Sequence, residues 1–250
     1  MVPQWVEAGI WGLAGGGALV AGALVAWFLR VPRDVVAVVM AFGAGVLTAA
    51  AAFELMDEAE KTGGLLATSA GFLGGAVGYV LANLLLARHG ARHRKRSSNQ
   101  PTETDQAGSG TAIAVGALLD GIPESVVLGV SLLSGGGVGV AMLAAVVISN
   151  VPEGLSSVAG MRQAGRGPRY VFGVWGAIAV ASGLSAALGN LLLDGASPQL
   201  IAVITAVAAG AILAMIADTM IPEAFARARL YTGLCTTAGF LTAFVVERLG

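Results

Sequence analysis

TAIAVGALLDGIPESVVLGVSLL, residues 111–133, is 23 residues long and contains no Lys, Arg or His. As a helix it rises about 35 Å, enough to cross a hydrocarbon core of about 30 Å. It lacks the period-two alternation that a membrane β-strand requires. Two acids and a proline interrupt it: Asp120, Glu124 and Pro123. The next apolar stretch, residues 138–160, has the same feature at SNVPEG, with Ser149, Asn150, Pro152 and Glu153. The apolar length sets the fold class, and the buried acids pose the functional question.

The composition agrees with a membrane chain. Of 250 residues, 56% are hydrophobic and 12% charged, against about 25% charged in an ordinary soluble domain. The net charge of -1 gives no electrostatic case for nucleic acid. Cys235 is the single cysteine, so no intrachain disulfide forms and it serves as a small packing residue. The first apolar run, about 8–29, exceeds a signal-peptide core of about 7–15 residues and has no basic residue before it; a retained helix is expected.

The chain therefore predicts an all-α polytopic membrane protein with eight spans, at about 5–29, 35–56, 65–87, 111–133, 138–160, 170–193, 199–221 and 231–248. With the N-terminus outside, twelve of the fourteen Lys and Arg fall on the inside, leaving only Lys61 and Arg248 outside. Positive loops are retained in the cytoplasm, so an N-out, C-out topology in a cell membrane (inner or plasma) is expected. Residues 88–110, RHGARHRKRSSNQPTETDQAGSG, are polar and predict a disordered cytoplasmic loop. Its two histidines, His89 and His93, either hold a metal loosely or are solvated. Many of the 37 glycines lie within the spans, where small residues let helices approach closely; a homodimer is compatible with such faces.

An internal echo links the second and seventh spans. AFGAGVLTAAAAFELMDEA begins at Ala41 and AVAAGAILAMIADTMIPEA at Ala206. These spans cross in opposite directions, so helices 1–3 (about 5–87) and 6–8 (about 170–248) can form inverted repeats flanking helices 4–5 (about 111–160), as in transporters.

Asp120 and Glu124 are four residues apart and share one helix face, as do Ser149 and Glu153, with Asn150 beside them. Each ionised carboxylate at that depth costs about 2.5–3.5 kcal/mol. With no Lys or Arg in these spans, the expected counter-charge is a proton or a bound cation. The short turn from Ser134 makes the two helices antiparallel neighbours and brings Glu124 and Glu153 to similar depth. Pro123 and Pro152 free the carbonyls of Leu119 and Ile148, and such oxygens bind cations in transporters. Glu54, Asp57, Glu58 and Glu60 at one end are either a cation-attracting mouth or a solvated helix end. Asp218 and Glu223 at the other are either part of an exit path or an interfacial cap.

DGIPES and SNVPEG together resemble the two metal-binding helices of the ZIP (Zrt/Irt-like protein) divalent metal transporters, in the bacterial branch whose helices carry His-Asn/Asp-x-Pro-Glu-Gly. The resemblance implies a 3+2+3 inverted-repeat bundle, inward transport of Zn, Mn, Fe or a similar ion as cargo, no tightly bound cofactor and no enzymatic activity. It carries over to Glu124 and Glu153. Asp120 and Ser149 replace the family's histidines, Gly121 and Asn150 occupy the second positions, and Ala186 in SGLSAALG replaces a helix 6 glutamate. The expected ligands are Asp120, Glu124, Asn150 and Glu153, helped by Ser149. Without imidazole this set suits Mn²⁺-like ions better than zinc. The alternative is a non-transporting relative that senses metal or assembles with partners.

Overall fold

The computed structural model describes residues 2–88, 94–97, 99–102, 104–105, 108–134 and 139–249. Among them there are helices and no strands. α1 spans Gln4–Phe28, α2 Arg33–Ala50, α3 Asp57–Ala87, α4 Ser109–Ser131, α5 Val140–Gln163, α6 Pro168–Leu193, α7 Pro198–Met215, α8 Ile221–Ala228 and α9 Leu230–Leu249. Seven stretches of the described residues are long and apolar enough to cross a membrane, as expected of a multi-pass membrane protein. His89 and His93, and most of the turn after Ser134, lie outside the described residues.

One of the seven, Arg33–Ala87, has 55 residues, roughly 80 Å of helix and far more than one crossing needs. It is broken at Gly64, whose φ of 79° and ψ of 164° are non-helical, a conformation open to glycine because it has no Cβ. The neighbours show that the chain doubles back there. The turn after α2 lines a cavity with Pro198, Ile201 and Ala202 at the start of α7, whereas α8, beyond the far end of α7, packs on α2 itself. Thus α2 runs opposite to α7. α3 runs with α7, meeting it at Gly63–Ala202, then Gly71–Ala206 and Gly75–Val207.

Two further irregularities match. A π-helical turn follows α2 at Ala51–Met56, and another follows α7 at Ile216–Met220. A second break falls at Arg229, with φ 46°. Each pair, 51 with 216 and 64 with 229, is separated by the same number of residues as the two echoing stretches. The sequence gives no local sign of the π turns, since neither contains proline. By contrast, α4 and α5 continue through Pro123 and Pro152.

Glycines set the closest packing. A Cβ on Gly45 would run into the Thr236 carbonyl on α9, and one on Gly210 into the Phe72 carbonyl on α3. Both obstacles are backbone, which cannot yield as a flexible side chain does. Gly45→Ala and Gly210→Ala are therefore expected to destabilise the bundle by about 1–3 kcal/mol each, read as a lower Tm in detergent. Gly74→Ala, with open space beside it, should leave Tm unchanged or slightly raised.

Two clusters hold most of the core, and a small third one joins Ala59, Ala202 and Ala206. The first gathers Met40, Leu47, Leu128, Met142, Ile212 and Met215; the second Leu19, Ile113, Val158, Met161 and Trp175. α4 packs on α6, and α5 on α1 and α2. α4 and α5 touch each other only sparsely, unlike the close antiparallel pair expected from the short turn. The space between them is bridged by side chains.

Candidate functional site

Asp120 lies 11 residues from either end of α4, about 16 Å of helix, and is therefore near the middle of its span. It is buried together with Glu124, Ser149, Asn150 and Glu153. Asp120, Glu124 and Glu153 are within electrostatic reach of one another, so the three acids share one locality.

Their main partners come from the chain itself. The Arg94 guanidinium grips Asp120 with two bonds, Nε to Oδ2 at 2.7 Å and Nη2 to Oδ1 at 2.9 Å, the fork geometry that gives charge-assisted pairs strength and direction. Lys95 Nζ stands 2.7 Å from Glu153 Oε1 and 3.3 Å from Asp120 Oδ2, joining the carboxylates of α4 and α5. Tyr79 on α3 donates its hydroxyl to Asp120 Oδ1 at 2.8 Å and accepts from Arg94 Nη2 at 2.6 Å. Asn83 Oδ1 accepts from Arg94 Nη1 at 2.9 Å. Arg94 is 1% exposed and Lys95 5%.

This corrects two expectations. The counter-charge for the buried acids is present within the chain, as Arg94 and Lys95. The 88–110 loop, predicted to be disordered, packs into the bundle over its described residues 94–97 and 99–102. Ser156 Oγ on α5 donates to the Lys95 carbonyl at 2.6 Å, and Gln100 Nε2 donates to the Ser157 carbonyl at 3.0 Å. Ser97 donates from its backbone N at 2.9 Å and its Oγ at 2.8 Å to Glu223 Oε1 in the first turn of α8. A Cβ on Gly160 would collide with the Arg96 carbonyl, so the segment lies against bare α5 backbone.

The other predicted ligands divide. Glu124 is 2% exposed, and its Oε1 has no hydrogen-bond partner among the described residues. Asn150 lies beside Glu124, while its Nδ2 donates to the Gly15 carbonyl on α1 at 3.0 Å. Ser149 Oγ bonds to the Val146 carbonyl of its own helix at 3.0 Å. Among the described residues no group of three or more His, Cys, Asp and Glu stands in a metal-holding arrangement; here Lys95 Nζ is the cation between Asp120 and Glu153.

Cavities lie toward opposite ends of the bundle. One of about 800 Å³ is lined by Glu54, Asp57, Glu58 and Glu247, with Val127 and Val130 of α4. Lys61 and Asp57 pair at 2.6 Å there, but both are exposed, so the pair adds little. Glu60 lines a neighbouring depression. The other, about 290 Å³, is lined by Asp218, Thr219 and Glu223 with Lys95, Arg96 and Asn99. Each cavity borders one π turn, Glu54 in the first and Asp218 in the second. The extra carbonyl geometry of such turns recurs at functional sites.

Sequence reasoning missed Tyr79, Asn83, Arg94 and Lys95. The one available signal was arithmetic: a run of basic residues ends the linker's front half in a chain whose spans carry unpaired acids. No protein-family model matches the chain, and no curated protein matches it.

Proposed function

We propose that this chain is a ZIP-like transporter of divalent metal cations, with Asp120, Glu124 and Glu153 holding the ion at mid-membrane. The observation that carries it is that Asp120 and Glu153, from two helices, both reach one cationic head group, Lys95 Nζ, with Glu124 buried one turn along α4, between cavities that lie toward opposite ends of the bundle. A structural core has no use for such an arrangement, because each desolvated acid costs several kcal/mol.

Counting the reversal at Gly64 as a turn between two crossings gives eight spans, N-out and C-out by the positive-inside bias. The paired π turns and breaks support an inverted repeat of α1–α3 against α6–α9, with α4 and α5 between them. On this topology the large acidic cavity opens outside and the smaller one to the cytoplasm of the cell membrane. The ion enters through the first, passes to the carboxylates with Asn150 alongside, and leaves when the repeats rock. Ser149 assists only after turning away from Val146.

All the charged ligands are oxygen donors, so a hard ion is favoured. In proteoliposomes holding the wild-type chain, Mn²⁺ uptake is expected to exceed Zn²⁺ uptake several-fold at equal low-micromolar concentration. Clear zinc selectivity would overturn the ion preference, and no flux of either ion would overturn transport. A second reading has one specific observation behind it: Arg94 and Lys95 already neutralise two of the three acids. A non-transporting relative would keep that bridge permanently, and would sense metal or assemble with partners without moving ions.

A further inference from the structure

Arg94 and Lys95 together carry the same charge as one divalent cation. They hold it at the carboxylates that the proposed cargo needs: Lys95 Nζ stands between Asp120 and Glu153, and Arg94 closes both oxygens of Asp120. Their segment also touches four helical elements at once. Tyr79 and Asn83 belong to α3, Asp120 to α4, Ser156 and Ser157 to α5 and Glu223 to α8. Lys95, Arg96 and Asn99 line the smaller cavity, so the segment is the partition between that cavity and the acids.

We propose that the described residues 94–97 and 99–102 form a plug whose Arg94 and Lys95 occupy the place of a divalent cation, so that plug and ion compete for Asp120 and Glu153. The proposal rests on reading the three carboxylates as a cation site. With the plug seated, three acids face two cations, and among the described residues no salt bridge reaches Glu124. An arriving divalent ion cannot share the site with two more positive charges, because like charges at such distances in a poorly screened interior repel strongly. Its binding therefore expels the basic pair. The pair has somewhere to go, since the adjoining cavity provides water for both head groups. Expulsion also breaks the stitch between α3, α5 and α8, which opens the inner side. The ion thus releases its own gate, and an ion-free protein stays closed to leak.

The test uses the full chain in detergent, with Mn²⁺ alone as the probe and the EPR signal of the free ion as the readout. Arg94→Ala with Lys95→Ala is expected to bind Mn²⁺ at least about ten-fold more tightly than wild type, and adding Glu153→Gln should remove the gain. Equal or weaker binding by the folded double variant overturns the plug. Should that variant fail to fold, a second measurement decides. Ser97→Cys in a Cys235→Ala background places a thiol on the buried segment. Its modification by maleimide is expected to speed up several-fold as Mn²⁺ is added, and a Mn²⁺-independent rate overturns the proposal. Tighter binding without uptake by any variant in proteoliposomes would remove the transport reading and leave the plug standing. Uptake with no gain in binding would do the reverse.

Discussion

Glutamine at positions 124 and 153 together is expected to abolish Mn²⁺ uptake into proteoliposomes, with expression and helical circular dichroism preserved. Glutamine has the shape of glutamate and keeps an acceptor oxygen, so packing in α4 and α5 is maintained while two negative charges are removed. Asp120 remains, but both of its oxygens are engaged by Arg94 and Tyr79. A hard divalent ion then meets one occupied carboxylate and amides that cannot replace its hydration. Binding should fall by at least about 100-fold, the scale set by losing two charged ligands at a few kcal/mol between them. The single variants separate the roles. Glu124 has an oxygen without a hydrogen-bond partner among the described residues, so Glu124→Gln should leave thermal stability unchanged or raised while uptake falls. Glu153 pairs with Lys95 at 2.7 Å, so Glu153→Gln should lower stability as well. Uptake retained by the double variant would refute the site.

The helices and the acids were legible in the sequence because both are local properties. Apolar length marks a span, and α1, α4, α6 and α9 begin and end within about two residues of the sequence expectation. Spacing of four puts Asp120 and Glu124 on one face without knowledge of any other helix. The partners of the acids were not legible, because they depend on where a polar linker goes. Arg94 lies 26 positions from Asp120 in a segment whose composition is that of a solvated loop. Composition reports the solvent a segment prefers when alone. It carries no information about three carboxylates waiting at mid-membrane, whose desolvation is offset by drawing that segment in. Tyr79 was hidden differently: it is an aromatic among the glycines of α3, and its hydroxyl finds Asp120 only once α3 and α4 are packed together.

The irregular turns show the same division. Pro123 and Pro152 are helix breakers by residue type, yet α4 and α5 pass through them, and the π turns follow α2 and α7, away from the Asp120/Glu124 and Ser149/Glu153 pairs. A proline's missing N–H is a local fact. A π turn is set by neighbours: the Gly45–Thr236 and Gly210–Phe72 approaches fix α2 against α9 and α7 against α3 just before each turn, and the extra residue beyond them is accommodated in the helix. The internal echo is a better guide than any breaker residue, since it aligns position 51 with 216, and the same offset carried beyond the echoing stretches pairs 64 with 229.

Asp120→Asn is expected to release residues 94–97 and 99–102 from the bundle while the helices stay folded. With the segment seated, the substitution leaves the Arg94 guanidinium, 1% exposed, facing a neutral amide and the Tyr79 hydroxyl. Removing one partner of a buried ion pair costs about 3–5 kcal/mol when the other must stay. Here the other need not stay, because Arg94 is on a connecting segment and not within a helix. Retreat exchanges the uncompensated charge for hydration and forfeits the bonds of Ser97 to Glu223, Ser156 to the Lys95 carbonyl and Gln100 to the Ser157 carbonyl. Those are worth about 0.5–1.5 kcal/mol each, somewhat more where charge assists, and Glu153, parted from Lys95, takes up a proton in its place; with both basic head groups hydrated, withdrawal is expected to be the lower state. Hydrogen exchange should then show the Ser97 amide, which donates to Glu223 in the wild type, losing protection by about 100-fold or more, with Tm nearly unchanged. The opposite pattern, a Tm lower by several degrees with Ser97 still protected, would mean that the segment cannot leave. Arg94 and Lys95 would then be a fixed bridge, and a permanently filled cation site is what the non-transporting alternative requires.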